Sequence, residues 1–175
     1  EEERVPLTPV RRIIADNMVR SATQIPQAWT LVEADVSDLV QLRESYRDKF
    51  QLREGVRLTH LPFLARAAAE SLAEHPLLNS SWGGDHIVVK RRINIGIAVT
   101  TPDGLLVPVI RDAVTLSISE LAKTISDLTN KARRGRLKLD DVQGGTFTIN
   151  NTGTLGSVAS QPLVNYPQAA ILTTE

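Results

Sequence analysis

The run Gly144-Gly-Thr-Phe-Thr-Ile-Asn-Asn-Thr-Gly153 constrains the fold of this chain more than any other segment. Paired glycines interrupt whatever precedes them, because without a Cβ the backbone is not confined to helix or strand geometry. Thr146 to Asn150 then alternate polar and apolar side chains, the period of a strand. Asn150, Asn151 and Thr152 bring polar groups to the end of that strand. Such an arrangement suits a site where a buried polar group meets a substrate. The 22 residues after Gly153 hold no histidine, so part of any chemistry served here is expected to lie elsewhere.

Helix signals surround this strand. Thr8-Pro9 reads as an N-cap with proline at the first helical position. Val10, Ile13, Ile14 and Met18 then share a face to about Ala22. Gln24-Ile-Pro26 stops the helix, and Ala28 to Val36 reads as a strand. Ser37 is expected to cap a second helix with the apolar stripe Leu39, Leu42, Tyr46 and Phe50; Gly55 ends the loop after it. Leu61 to Glu74 is an alanine-rich helix burying Phe63, Leu64, Ala68 and Leu72, closed by His75-Pro76. Ser117-Ile-Ser-Glu120 is a capping box, with Leu116 and Leu121 as its hydrophobic staple. Ile118, Leu121, Ile125, Leu128 and Ala132 carry that helix to about Arg134.

Asn79 to Gly84 reads as a turn, followed by strands at His86–Val89, Ile93–Thr100 and Leu105–Ile110. Pro102-Asp-Gly104 is the turn between the last two. Pro108 cannot donate to a ladder, which argues for an edge or a bulge. Asp140 and Asp141 sit in a short turn, and Ala169–Thr173 forms a final strand. Helices and strands mix without regular βαβ alternation, so the expected class is an α/β sandwich with a mixed sheet rather than a Rossmann fold.

Composition narrows the function classes. At 175 residues the chain fits one domain with a sizeable core. Twenty basic residues balance twenty acidic ones, so no global field favours nucleic acid or an anionic membrane. The absence of cysteine excludes disulfides, thiolate-held metals and a cysteine nucleophile. No apolar run approaches the ~20 residues of a membrane span. The composition fits a cytoplasmic protein. Residues 1–5 read as a linker remnant before a domain at 6–175.

The candidate chemistry is sparse when read from local signals. His60, His75 and His86 have no carboxylate at helical or short-loop spacing to orient them and form no metal-like pair, so a structural or surface role is expected. Gly144, Gly145, Gly153 and Gly156 match no phosphate-loop pattern, and no G-x-S-x-G elbow is present. Lys131, Arg133, Arg134, Arg136 and Lys138 close a helix. They read either as a solvated, dipole-complementing cluster or as an anion site.

Four segments together change the reading. They are Pro6-Leu-Thr-Pro-Val-Arg-Arg-Ile-Ile-Ala-Asp-Asn-Met18, Ile95 to Arg111 around Thr-Thr-Pro-Asp-Gly, Gly144 to Gly153, and Pro162-Leu-Val-Asn-Tyr-Pro-Gln-Ala-Ala-Ile-Leu172. In order and spacing the chain resembles the catalytic domain of dihydrolipoamide acyltransferases, the core components of 2-oxo acid dehydrogenase complexes. The resemblance implies a chloramphenicol-acetyltransferase-like two-layer sandwich with a mixed sheet, assembled as homotrimers within a larger core. It implies acyl transfer from a dihydrolipoyl group, carried on a separate lipoyl domain, to coenzyme A. It also implies two partner enzymes, a 2-oxo acid decarboxylase and dihydrolipoamide dehydrogenase.

Residue roles follow from the same resemblance. Asn150 stands where many relatives carry a serine that stabilises the oxyanion; an amide N–H can serve there, and such a donor is typically worth ~3 kcal/mol. Asn151, Arg43 and Thr59 match positions near coenzyme A. Thr100 and Thr129 match further cofactor-facing positions, Thr100 replacing an acidic residue of many relatives. The family's Asp-His-Arg-x-x-Asp-Gly motif, whose histidine is the base, does not occur in this sequence. The resemblance therefore implies a domain lacking its C-terminal part and inactive alone. The Asn150–Ser157 wording leans toward a branched-chain acyl group. A second reading is a non-catalytic scaffold that keeps the fold for assembly; continuation of the coding sequence into a histidine motif separates the two.

Overall fold

Thr8 opens the first helix, α1 (Pro9–Gln24), its side chain accepting from the Arg11 N–H at 3.3 Å. The apolar stripe is not what seats this helix, since Ile13 is 68 % exposed. Polar contacts do so: buried Ser21 Oγ accepts from Tyr166 N–H at 3.1 Å, and Asn17 Nδ2 donates to Asn165 Oδ1 at 2.9 Å. The computed structural model describes residues 2–102, 104–153 and 156–175. Glu1 of the expected linker, Asp103 of the expected turn, and Thr154 and Leu155 of the segment behind the branched-chain reading lie outside the described residues.

No strand forms over Ala28–Val36, contrary to the sequence expectation. Trp29, Leu31 and Val32 of this stretch are exposed. A strand is defined by its backbone partner, and apolar content cannot supply one. Helix α2 (Ser37–Glu54) follows, with Ser37 as its first residue rather than its cap. Asp35 Oδ1 instead accepts from the Ser37 N–H at 2.9 Å. Of the expected stripe on α2 only Phe50 is buried; Leu42 and Tyr46 face solvent. Gly55 ends the helix in the left-handed region at φ 74°, a conformation suited to glycine.

Helix α3 (Leu61–Glu74) matches its expected bounds and buries Ala65, Ala68, Ala69 and Leu72. Phe63 and Leu64 are only half-buried. The expected turn at Asn79–Gly84 contains instead a strand, β1 (Ser80–Trp82), paired antiparallel with β2 (Ile87–Val89). Asn79, just before β1, donates from Nδ2 to the carbonyls of Lys90 and Arg92, while its Oδ1 is buried without a partner among the described residues. Ser80 Oγ donates to the Leu77 carbonyl.

Each of the two long strands expected next breaks in two. The first yields β3 (Ile95–Ile97) and β4 (Val99–Thr101), the second β5 (Gly104–Leu106) and β6 (Val109–Ile110). β4 and β5 pair only with each other, whereas β3 and β6 join the main sheet. Pro108 sits at the second break and lends only its carbonyl, which accepts from Ile97 N–H at 2.9 Å. Helix α4 (Ile118–Arg133) has the full capping box: Ser117 Oγ accepts from Glu120 N–H, and the Glu120 carboxylate accepts from Ser117 N–H. After a one-turn helix α5 (Leu139–Val142) come β7 (Phe147–Asn151) and β8 (Ile171–Thr174).

The main sheet runs β6-β3-β7-β8, with β6 antiparallel to β3 and both β3–β7 and β7–β8 parallel. This is the mixed sheet expected, with Pro108 beside its edge strand. Ala68 and Leu72 of α3 and Leu121, Ile125 and Leu128 of α4 pack against Ile95, Ile97, Phe147 and Ile149 of the sheet. The result is a two-layer α/β sandwich whose core lies between the helix pair and one sheet face.

Candidate functional site

At the open end of that core, α2, the α2–α3 loop, α4 and the tip of β7 enclose a cavity of about 730 Å³. That is within the range of small-molecule sites. Arg43, Thr59, Thr129 and Asn151, drawn from four separate segments, all line it. Arg57, His60 and Arg133 line it too, and among the described residues that line it none is acidic. Three guanidinium groups and an imidazole therefore face one space. This favours a ligand carrying several negative charges, since arginine matches phosphate oxygens in geometry as well as sign.

Each wall has a local cause. Arg43 is three-quarters buried or more, its side chain 20 % exposed. Its Nε donates to the Leu58 carbonyl at 2.9 Å, and its Nη1 pairs with Glu44. The guanidinium is thereby pinned to the loop that carries Thr59. On α4, Ser126, Thr129, Asn130 and Arg133 follow the i, i+3, i+4, i+7 spacing of one helix face. They flank the apolar stripe that holds α4 on the sheet. Glu54 closes α2 onto α4: its Oε2 meets Lys123 Nζ at 2.7 Å and its Oε1 accepts from Arg53 Nε at 2.6 Å. Hydrogen bonds from Lys123, Ser119 and Arg53 hold its carboxyl down at about 2.

Asn150 and Thr100 do not line this cavity. Side chains of a strand alternate between faces, so Asn151 shares its face with core residues Phe147 and Ile149, and Asn150 takes the other. On that other face Asn150 stands opposite Thr173 in register and beside Thr148, whose Oγ1 donates to Gln168 Oε1 at 2.6 Å in a buried pair. Thr173 Oγ1 is buried without a partner. Thr100 is exposed on β4, opposite Leu105.

Sequence reasoning missed Ser126, Asn130, Arg57 and His60 as cavity residues, and left Arg133 between a solvated cluster and an anion site. The polar spacing on α4 was a usable signal for the first two. The cluster from Lys131 to Lys138 splits accordingly: Arg133 faces the cavity, while Lys131 pairs with Asp127 at 2.6 Å. His86 also departs from expectation, because adjacent Asp85 does reach its Nδ1, at 2.6 Å. Both are exposed on the β1–β2 turn, and neither lines the cavity. Among the described residues no cluster of metal-ligating side chains occurs.

Comparison with known proteins agrees with this architecture. The family model "2-oxoacid dehydrogenases acyltransferase (catalytic domain)" matches residues 1–175. The lipoamide acyltransferase component of the branched-chain alpha-keto acid dehydrogenase complex of Bacillus subtilis is 51 % identical over 174 residues, covering 99 % of this chain and 41 % of the relative. The succinyltransferase component of the 2-oxoglutarate dehydrogenase complex of Haemophilus influenzae is 40 % identical over 171 residues, covering 98 % of this chain and 42 % of that relative. Thus the chain spans about two fifths of the length of these curated relatives. A probable dihydrolipoamide acetyltransferase from Listeria monocytogenes superposes with a TM-score of 0.95 at 46 % identity, covering 98 % of this chain and 74 % of that one. The cubic core of a pyruvate dehydrogenase multienzyme complex gives a TM-score of 0.95 at 40 % identity, covering 99 % and 72 %. With its mixed sheet, paired helices and full-length match, the chain belongs to the 2-oxoacid dehydrogenase acyltransferase family, within the catalytic domain.

Proposed function

We propose that this chain supplies the coenzyme A side and the oxyanion donor of an acyl-transfer site, passing an acyl group between a dihydrolipoyl arm and coenzyme A in a 2-oxo acid dehydrogenase complex. The observation that carries the reading is the convergence of Arg43, Thr59, Thr129 and Asn151 on one acid-free, arginine-lined cavity. Coenzyme A is a polyanion with a long polar arm. The guanidinium groups offer fixed partners for its phosphates, and the hydroxyls and amides offer partners for the arm. Thiol attack on a thioester also needs a donor where the carbonyl oxygen becomes negative and a base near neutrality. Asn150 is the donor in this reading, its amide N–H serving in place of a hydroxyl. The base in this reading is the histidine of the family's Asp-His-Arg-x-x-Asp-Gly motif, which this sequence does not contain. A branched-chain acyl group is favoured by the likeness to the Bacillus subtilis component.

In this reading the chain works as a homotrimer within a larger core, in the company of a lipoyl domain, the decarboxylase and dihydrolipoamide dehydrogenase. Likeness to a cubic multienzyme core supports assembly. Calorimetric titration of the purified chain with coenzyme A tests the binding half: saturable binding is expected, and its absence would overturn the reading. Incubation of the same chain with dihydrolipoamide and isobutyryl-coenzyme A tests the division of labour. No transfer is expected from the chain alone, and measurable turnover would show that the base lies within it.

A further inference from the structure

We infer that Glu54 is a positioning residue for the arginine-lined cavity: by gripping Lys123 it clamps α2 to α4 and so fixes Arg43 relative to Thr129 and Arg133. The inference rests on the coenzyme A reading for the identity of the ligand. Helix α2 is poorly seated for its length. Of its eighteen residues only Phe50 is buried, in a small cluster with Leu58 and Ala122. The other ion pairs of α2, Arg43–Glu44, Arg47–Glu44, Arg47–Asp48 and Arg53–Glu54, run along the helix itself. Among the described residues, Glu54–Lys123 is the ion pair that leaves α2 for another element.

The geometry gives that pair unusual leverage. The Glu54 side chain is 13 % exposed and holds Lys123 at 2.7 Å and Arg53 at 2.6 Å. Gly55 turns the chain immediately afterwards and itself lines the cavity, as does Val56. Glu54 does not line it. A loss of ligand affinity on removing Glu54 must therefore pass through the placement of other groups. A solvated ion pair is worth little, but together with the Phe50–Ala122 packing and the Ser119 hydrogen bond to Glu54 this one sets the spacing of two cavity walls.

For Glu54 the electrostatic field gives the opposite sign from the clamp, which makes the inference testable at that residue. Removing the Glu54 charge leaves a more positive surface, so a field effect alone would tighten binding of an anion. Loss of the clamp weakens it. The experiment measures coenzyme A dissociation constants by calorimetry for the chain, Glu54→Gln, Lys123→Met and the double variant, with hydrogen exchange of the α2 amides in each. Either single change is expected to weaken binding about fivefold and to speed α2 exchange, with the double variant no worse than either single one. Tighter binding in Glu54→Gln, or unchanged α2 exchange in both single variants, would overturn the clamp. Should the unaltered chain fail to bind coenzyme A, the functional reading falls, and the α2 exchange rates alone decide whether the clamp stands.

Discussion

Asn94 Nδ2 donates to the Gly144 carbonyl at 2.8 Å, tying the start of the main sheet to the glycine pair fifty residues later. The same amide uses its Oδ1 to accept from Asp112 N–H at 2.9 Å, and the Asn94 carbonyl accepts from Thr146 N–H at 2.8 Å. One buried side chain thus aligns the turn before β7 with the left-handed residue Asp112 (φ 47°) beyond β6.

Asn94→Ala is expected to cost about 1–3 kcal/mol, because it removes the partner of both the Gly144 carbonyl and the Asp112 N–H. Asn94→Asp keeps the acceptor and loses the donor, and should fall between. Urea denaturation of both variants checks the order; an alanine variant as stable as the parent would contradict it.

Gly96 is closely overlaid in the centre of the sheet. A Cβ there would stand 2.6 Å from Val107 Cγ1 and 3.4 Å from Thr148 Oγ1. Valine has little rotamer freedom with which to retreat. Gly96→Ala should destabilise the fold by roughly 1–3 kcal/mol through overpacking, read as a lowered thermal midpoint.

The capping box predicts a smaller effect. Ser117→Ala removes the acceptor for Glu120 N–H and the hydroxyl donor to the Glu120 carboxylate, leaving only the backbone N–H of the box. A loss of about 1 kcal/mol is expected, and Ser117→Thr should retain most of the stability. Circular dichroism melts of the two variants compare them directly.

The Glu54 carboxyl titrates at about 2 in the folded chain against an ordinary value of 4.5. A depressed carboxylate stabilises the fold fully above its unfolded value and ceases to do so as the pH falls through the folded one. The gap in thermal midpoint between the chain and Glu54→Gln should therefore be complete near neutrality, shrink below about 4.5 and close near 2. A gap that persists in acid would assign the effect of the substitution to packing.

Arg43 gives the most direct test of the cavity. Arg43→Ala should weaken coenzyme A binding by ~10-fold or more, as expected for a lost charge-assisted contact. Arg43→Lys should recover little, because an ammonium cannot both hold the Leu58 carbonyl and present a planar edge. Added salt should reduce affinity in the parent more steeply than in either variant.

Much of this architecture was legible in local chemistry. The capping box at Ser117, the alanine-rich α3 and the alternation before Asn150 depend on near neighbours and appear at their expected places, whereas Gly55, expected to end a loop, ends α2 itself. What misled was segments whose partners are distant. Asn79-Ser-Ser-Trp82 has the composition of a turn, yet Ser80–Trp82 pairs in register with Ile87–Val89, and Asn79 Nδ2 reaches the carbonyls of Lys90 and Arg92. Ala28–Val36 has the apolar content of a strand and, among the described residues, pairs with no strand. The stripe on α2 failed for the same reason, since Leu42 and Tyr46 meet no opposing surface. For the cavity, the family likeness singled out Arg43, Thr59, Thr129 and Asn151 and the basic cluster left Arg133 open as an anion contact, whereas Arg57 and His60 became visible only once α4 and the α2–α3 loop were placed side by side.

Adjacent asparagines on opposite sides of β7 set a rule about length. Asn151 belongs to the arginine-lined cavity and Asn150 to the Thr148–Thr173 side. Inserting or deleting a single residue between the Asn94–Gly144 tie and Phe147 would slip the strand by one place and exchange the two amides between compartments. Replacing a side chain in that stretch edits one contact, whereas changing the count transposes them all. The spacing from Gly144 to Asn151 thus behaves as a reading frame, and frame, more than composition, is what this segment has to keep.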